Sequence, residues 1–256
     1  YFLIITMVLF TLSCTKNKGI EPFNENIRIR MYENTDSNNR SLVLNCYTEK
    51  IFVECSNYSI ERNVEIHKNK IVVNFIVIHK PNVCLTSIGP ATTVIELKNL
   101  PNDNYVLEFN LGNIKIEGNM IVSDDEYKVT LPVQDRIQFD NPKMNRIPAN
   151  TIYGTIRYHA VTTEPLAQNF LDSLLILGAN ESIYNPGDYV NFIIQNNGQV
   201  FQRQDEGYYF SKYFVFNYNK NSNELKTLVK NFGLTYPDLV TITLNTTNGE
   251  IFYSWN

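Results

Sequence analysis

Alanine is nearly missing, with five residues in 256 against 35 asparagines. A chain so short of the best helix former is not helix-dominated, and the Ile, Val, Thr, Tyr and Phe in its place favour strands. Cationic runs are missing too. Lys and Arg number 22 against 26 Asp and Glu, a formal net charge of −4. With no local basic stripe, nothing draws the chain to phosphate backbones, and nucleic-acid binding is not expected. No succession of long apolar runs marks a multi-span membrane protein, and 43% hydrophobic with 19% charged residues is the balance of a chain that packs a core. Catalytic templates are equally scarce. The sequence has no Gly-x-Ser-x-Gly elbow, no Gly-rich Lys-Ser/Thr phosphate loop, no His-Glu-x-x-His, no Gly-x-Gly-x-x-Gly, no EF-hand loop and no Cys-x-x-Cys pair. No catalytic residue, metal or cofactor is nominated.

What is present begins with residues 1–12, YFLIITMVLFTL, an uncharged apolar run of the length of a signal-peptide core and too short to span a bilayer. The sequence opens on Tyr1 with neither methionine nor a basic stretch ahead of this run, so a start further upstream is expected. Ser13-Cys14 follows, then the polar Thr15-Lys16-Asn17-Lys18-Gly19. A small residue directly before a cysteine at this place resembles the lipobox of bacterial lipoproteins, with Leu12 and Thr11 one position off the usual order. That resemblance implies that residues 1–13 are a signal peptide, that Cys14 is lipidated, and that residues 14–26 are a tether. It places the protein in the bacterial cell envelope, lipid-anchored to the outer membrane, with the membrane as its first partner. A cleaved secretory signal with a chance cysteine, or a buried first strand, are the alternatives. Outside the cytoplasm Cys46, Cys55 and Cys84 can hold one disulfide and one free thiol, or all three can be small buried core residues.

Residues 42–131 are nearly all strand patterns, LVLNCY, IFVEC, KIVVNFIVIH, TTVIEL, YVLEFNL, IKIEGNMIV and YKVTL, parted by Pro, Gly, Asn or Asp. Short spacings without an intervening helix predict an antiparallel sandwich. Within it, Leu97-Lys98-Asn99-Leu100-Pro101-Asn102-Asp103-Asn104-Tyr105 resembles the Leu-turn-Tyr segment of immunoglobulin-like and fibronectin-type domains. The resemblance implies that the Tyr105 hydroxyl bonds back to the backbone just upstream. Residues 132–148, rich in proline and charge, are expected to be a linker, with a boundary near Asn141. The organisation expected is therefore an immunoglobulin-like antiparallel β-sandwich over residues 27–140, followed over residues 141–256 by an α+β domain with a mainly antiparallel sheet and two helices. Leu166, Phe170, Leu174 and Leu177 predict the first helix over residues 164–177, with Gly178 as its stop. The second is expected over residues 222–232, capped by Ser222 or Asn223. Between them Asn196-Asn197-Gly198 predicts a hairpin.

The most suggestive functional feature is aromatic: Tyr208, Tyr209, Phe210, Tyr213, Phe214, Phe216 and Tyr218. Such a row suits either a stacking platform or a central strand covered on both faces. Tyr208, Tyr209, Tyr213 and Tyr218 are the candidate ligand-binding residues, because tyrosine tolerates a wet edge better than phenylalanine. The function expected is a non-catalytic binding or interaction role toward a protein or glycan ligand. One alternative is a secreted hydrolase with its site in the C-terminal domain near His159 and Glu164. Another is an inhibitor or immunity-type protein that presents Asn185-Pro186-Gly187-Asp188 to a partner enzyme. Asp124-Asp125-Glu126 is an acidic turn, read as solvated rather than calcium-binding.

Overall fold

The computed structural model describes residues 23–35, 40–85, 87–133, 135–201 and 210–255. Among these the chain is mainly β, with two α-helices. Ten strands form one large sheet: β1 (Ile27–Asn34), β2 (Ser41–Phe52), β3 (Ser59–His67), β4 (Lys70–His79), β5 (Gly89–Lys98), β6 (Asp103–Leu111), β7 (Ile114–Val122), β8 (Glu126–Thr130), β9 (Ile137–Phe139) and β10 (Lys143–Asn145). Their order is β10-β8-β7-β6-β4-β3-β5-β2-β1-β9. Alternation sets the faces. In β1, Ile27, Ile29 and Met31 are buried while Arg28 turns outward, and β6 buries Tyr105, Leu107, Phe109 and Leu111.

The sheet is mixed rather than wholly antiparallel. β5 pairs on the far side of β3, which leaves the edge of β4 to β6. β6 arrives from the same end as β4 and so runs parallel to it, with Lys70 beside Val106. β1 and β9 are also parallel. The union of β3 with β5 is thin, a single pair between Ser59 and Thr92. On either side of that seam the sheet curls around one core, with Ile29, Met31, Leu44 and Ile95 facing Ile71, Phe109 and Met120. Curling brings the two edges together: Tyr127 of β8 donates to Glu33 of β1 at 2.9 Å. Only residues 140–142 join β9 to β10. The stretch expected as a linker thus supplies two strands to the sheet. Asn141, the expected boundary, lies between them, its side-chain amide bonding both the N–H and the C=O of Met31 at 2.8 Å in place of a strand partner.

Strand directions define two ends. Phe23–Asn26 leads into β1 at one end, which also carries Phe52 beside Gly89, and Ser59 beside His79. Asn34, Ser41, Lys98, Asp103 and Asn145 lie at the opposite end, called here the junction end. Tyr105 closes a corner there, donating to the Pro101 carbonyl at 2.9 Å as the sequence resemblance implied. A disulfide joins Cys55 to Cys84 at the leading end. Cys46 is free and buried in the core, and desolvation pushes its thiol up to about 12.

The rest of the chain forms β11 (Thr151–Tyr158), α1 (Glu164–Leu177), β12 (Gly187–Asp188), β13 (Ile193–Ile194), β14 (Val200–Phe201), β15 (Phe210–Asn217), α2 (Ser222–Thr235), β16 (Val240–Thr246) and β17 (Ile251–Tyr253). A four-stranded antiparallel sheet runs β15-β11-β16-β17. Both helices cover one face, burying Phe170, Leu174, Leu225 and Val229 against Ile156, Phe214 and Ile242. The small sheet β12-β13-β14 covers the other through Tyr189, Phe192 and Ile194 on Tyr153 and Val215. α1 has the expected bounds because Pro165 suits its first turn and Gly178, at φ +106°, ends it. For α2 the cap is Asn221, whose side chain accepts from the Asn223 N–H at 2.9 Å. Ser222 instead donates to Glu250 at 3.0 Å, and the helix runs three residues past Phe232.

At the junction end a buried carboxylate organises the passage between the two sheets. The Glu33 side chain is 1% exposed and accepts from Arg40 at 2.7 Å, from Tyr127, and from the Ile147 N–H at 3.1 Å. Arg146 contacts it at 3.4 Å, lies over the Tyr127 ring, and donates to the Ser123 carbonyl at 2.6 Å. Burial, then the Glu33 charge, raise the Tyr127 pKa above the usual tyrosine range.

Candidate functional site

β15 is an edge strand, not the central strand considered from sequence, yet its middle is covered on both sides. Phe214 and Phe216 point into the helix-side core and Val215 into the opposite one, because strand alternation divides neighbours between faces. A cleft of about 410 Å³ runs beside this strand, away from β11. Its walls are Tyr213 and Phe216 of β15, Leu171 of α1, Tyr184, and Ile194 and Val200 of the small hairpin, with Glu181 and Ser182 at the rim. Asn196-Asn197-Gly198 makes the hairpin turn, the Gly198 N–H bonding the Gln195 carbonyl at 2.9 Å. The expected hairpin is thereby present, shorter than its sequence pattern.

The cleft's chemistry is aromatic and aliphatic. Tyr213 is half-buried, takes a hydrogen bond from Ser211 at 3.0 Å, and packs near the exposed Phe201. Tyr184 meets Tyr189 edge-on with ring centroids 6.4 Å apart. Its hydroxyl oxygen is shielded from solvent and makes no hydrogen bond of good geometry. Burial raises its pKa, with the Thr151 and Ser182 hydroxyls pulling the other way. Rings with one polar corner suit the stacked faces of sugars or the side chains of an extended peptide.

Of the four tyrosines nominated from sequence, Tyr213 lines this cleft. Tyr218 is buried in the helix-side core, donating to the Asn221 carbonyl at 3.2 Å, and is not a cleft residue. Tyr208 and Tyr209 lie outside the described residues, as does Cys14. Tyr184, Ile194 and Val200 were missed. The available signal was a tyrosine on each side of Asn185-Pro186-Gly187-Asp188, a turn that brings the two rings together.

That turn is occupied internally. Asn145 of β10 donates to the Asn185 and Pro186 carbonyls at 3.4 and 3.3 Å, and Tyr189 donates to Asn185 at 3.0 Å. Glu164 pairs with Lys212 at 3.2 Å, while His159 is exposed and lines none of the cavities described here. In the acidic turn, Asp124 takes a hydrogen bond from Asn102 and Glu126 pairs with Lys143 at 2.7 Å. Among the described residues no three metal-ligating side chains cluster.

A second cavity, about 700 Å³, opens between α1 and α2 over Leu177, Leu228 and Phe232. The Ser173, Thr227 and Thr235 hydroxyls on its walls each donate to the carbonyl four residues back in their own helix. Asn169, Asn223, Glu224 and Asn231 also line it, whereas the β15 cleft is the cavity that the sequence candidate Tyr213 lines. No family model, curated protein or solved structure matches the chain.

Proposed function

We propose that this is a lipid-anchored cell-envelope protein with a non-catalytic role, binding a glycan or protein ligand in the cleft beside β15. In this account Cys14 carries the lipid and an immunoglobulin-type sandwich forms the stalk. The division from the α+β domain falls after β10. Three features support the sandwich: the single-pair seam between β3 and β5, the core drawn from both flanks of that seam, and the Tyr105 corner.

The observation that carries the proposal is polarity along the chain. The segment after Cys14 reaches the large sheet at its leading end, whereas the chain leaves for the cleft-bearing sheet from the opposite end, after Asn145. A stalk joined to its anchor at one end and to its binding unit at the other holds the ligand away from the bilayer. The test is a glycan array and an extended-peptide library probed with the purified protein, alongside Tyr213→Ala, Tyr184→Ala and Tyr218→Phe. Saturable binding, lost in the first two variants and kept in the third, is expected. Binding indifferent to both cleft substitutions, or none across either library, overturns the proposal.

A further inference from the structure

The leading end of the large sheet exposes aliphatic side chains in numbers its interior does not require. Val53 is 77% exposed, Val83 76%, Ile88 67% and Leu85 56%. They belong to one tip. β2 ends with Phe52 beside Gly89 of β5, so Val53 and Ile88 are the next residues outward on adjacent strands. Val83 and Leu85 flank Cys84, whose disulfide to Cys55 brings the two Cα atoms to 5.3 Å. Ile51, half-exposed, extends the patch along β2.

Hydrogen bonds tie the loops of the tip to one another. Asn57 donates to the Val83 carbonyl at 2.8 Å and accepts from the Leu85 N–H at 3.2 Å, and Ser87 bonds Ser56 through their hydroxyls at 2.5 Å. The Val83 carbonyl and the Leu85 N–H are thereby paired within the tip, so covering the neighbouring methyls strands neither group. The neighbouring acids are paired: Glu25 with Lys50 at 2.8 Å, Glu61 with His79 at 2.5 Å, and Glu54 with Lys80.

We propose that this disulfide-pinned tip is a second membrane contact, seating Val53, Val83, Leu85 and Ile88 at the acyl boundary of the bilayer that holds lipidated Cys14. The proposal rests on Cys14 carrying lipid. Position and composition both select the bilayer. The tether reaches the sheet at this same end, where Asn26 bonds Glu49 at 3.0 Å and Glu25 pairs with Lys50. Eight residues, 15–22, separate Cys14 from Phe23, which limits the span to about 30 Å. The outward side chains Val53, Val83, Leu85 and Ile88 are aliphatic, without the Trp or Arg that anchor protein interfaces, and Tyr58 beside them is half-buried against Phe52.

The test uses the full chain, processed in a Gram-negative host and reconstituted in phosphatidylethanolamine and phosphatidylglycerol vesicles. Leu85→Trp and, separately, Ile88→Trp are placed in a Trp255→Phe background. The expected result is emission at least about twofold lower when acyl chains are brominated near the headgroup, as insertion by about 5–10 Å requires. The unaltered chain, whose single Trp255 lies beyond β17, should show no such loss. Unquenched indoles at both tip positions on vesicle-bound protein overturn the tip contact and leave the anchor intact. The mass of the N-terminal peptide tests the anchor separately: an unmodified Cys14 removes the premise, whatever the quenching.

Discussion

The two ends of the large sheet are built from opposite chemistry. At the junction end the charges are inside: Glu33 is enclosed by Arg40, Arg146, Tyr127 and the Ile147 N–H, and Asn145 grips the Asn185-Pro186 carbonyls. At the leading end the methyl groups are outside, on loops tied together by Cys55–Cys84. Directional bonds to a buried carboxylate fix an orientation, which suits the passage from one sheet to the next. Apolar contact fixes no orientation but tolerates a fluid partner. The difference separates an end that must hold its neighbour in register from one that needs only to adhere.

The largest expected effect breaks the junction end. Glu33→Ala leaves two guanidinium groups facing a void and should lower unfolding free energy by about 3–5 kcal/mol. Urea unfolding measures it, and a loss under about 1 kcal/mol would mean that the network does not hold the junction. Tyr105→Phe, at the same end, deletes one hydrogen bond to Pro101 and should lower stability by about 1 kcal/mol in the same assay.

Between the ends, Glu108 sits on the outer face of β6 with Lys115 at 2.6 Å and Lys70 at 2.8 Å. Hydrogen bonds from Lys115, then Lys70, then Asn110 hold its carboxyl at about 2, against an ordinary value of 4.5. A carboxyl depressed in the folded state stabilises the fold above its unfolded pKa, and that contribution fades as pH falls from 4.5 through about 2. Glu108→Gln should flatten the stability profile in that window, most visibly at low salt. An unchanged profile would remove Glu108 from the account. The smallest expected effect sharpens the comparison. Val83→Asp with Leu85→Asp should shift stability by less than about 0.5 kcal/mol, because these side chains support no core. A larger loss would show that the tip serves the fold.

The second half was the more legible in sequence, because its signals are local. Leu166, Phe170 and Leu174 repeat at helical spacing, and Gly178 stops the helix where its φ demands glycine. Asn196-Asn197-Gly198 turns a hairpin for an equally local reason. The first half announced strands but not their pairing. Whether β6 joins β4 or β5 depends on which edge is free after the chain crosses β3, which no window of residues encodes. β9 and β10, three residues each, are too short to alternate visibly.

Glu33 carries a local signal: it shares the parity of Ile27, Ile29 and Met31, and an acid in phase with a buried stripe needs a partner. Its partners, up to 114 residues away, could not be read. The cleft was half legible. The aromatic row pointed to β15, and Tyr213 is in the cleft, but the opposing wall comes from Tyr184 and the small hairpin, joined to it only by folding.

The most direct test of the proposed lipid anchor is the mass of the N-terminal peptide from protein made with residues 1–13 in a Gram-negative host. A chain beginning at Cys14 and carrying a diacylglyceryl group on its sulfur is the predicted result. A Cys14 bearing a free thiol, or residues 1–13 still attached in the membrane fraction, would contradict it.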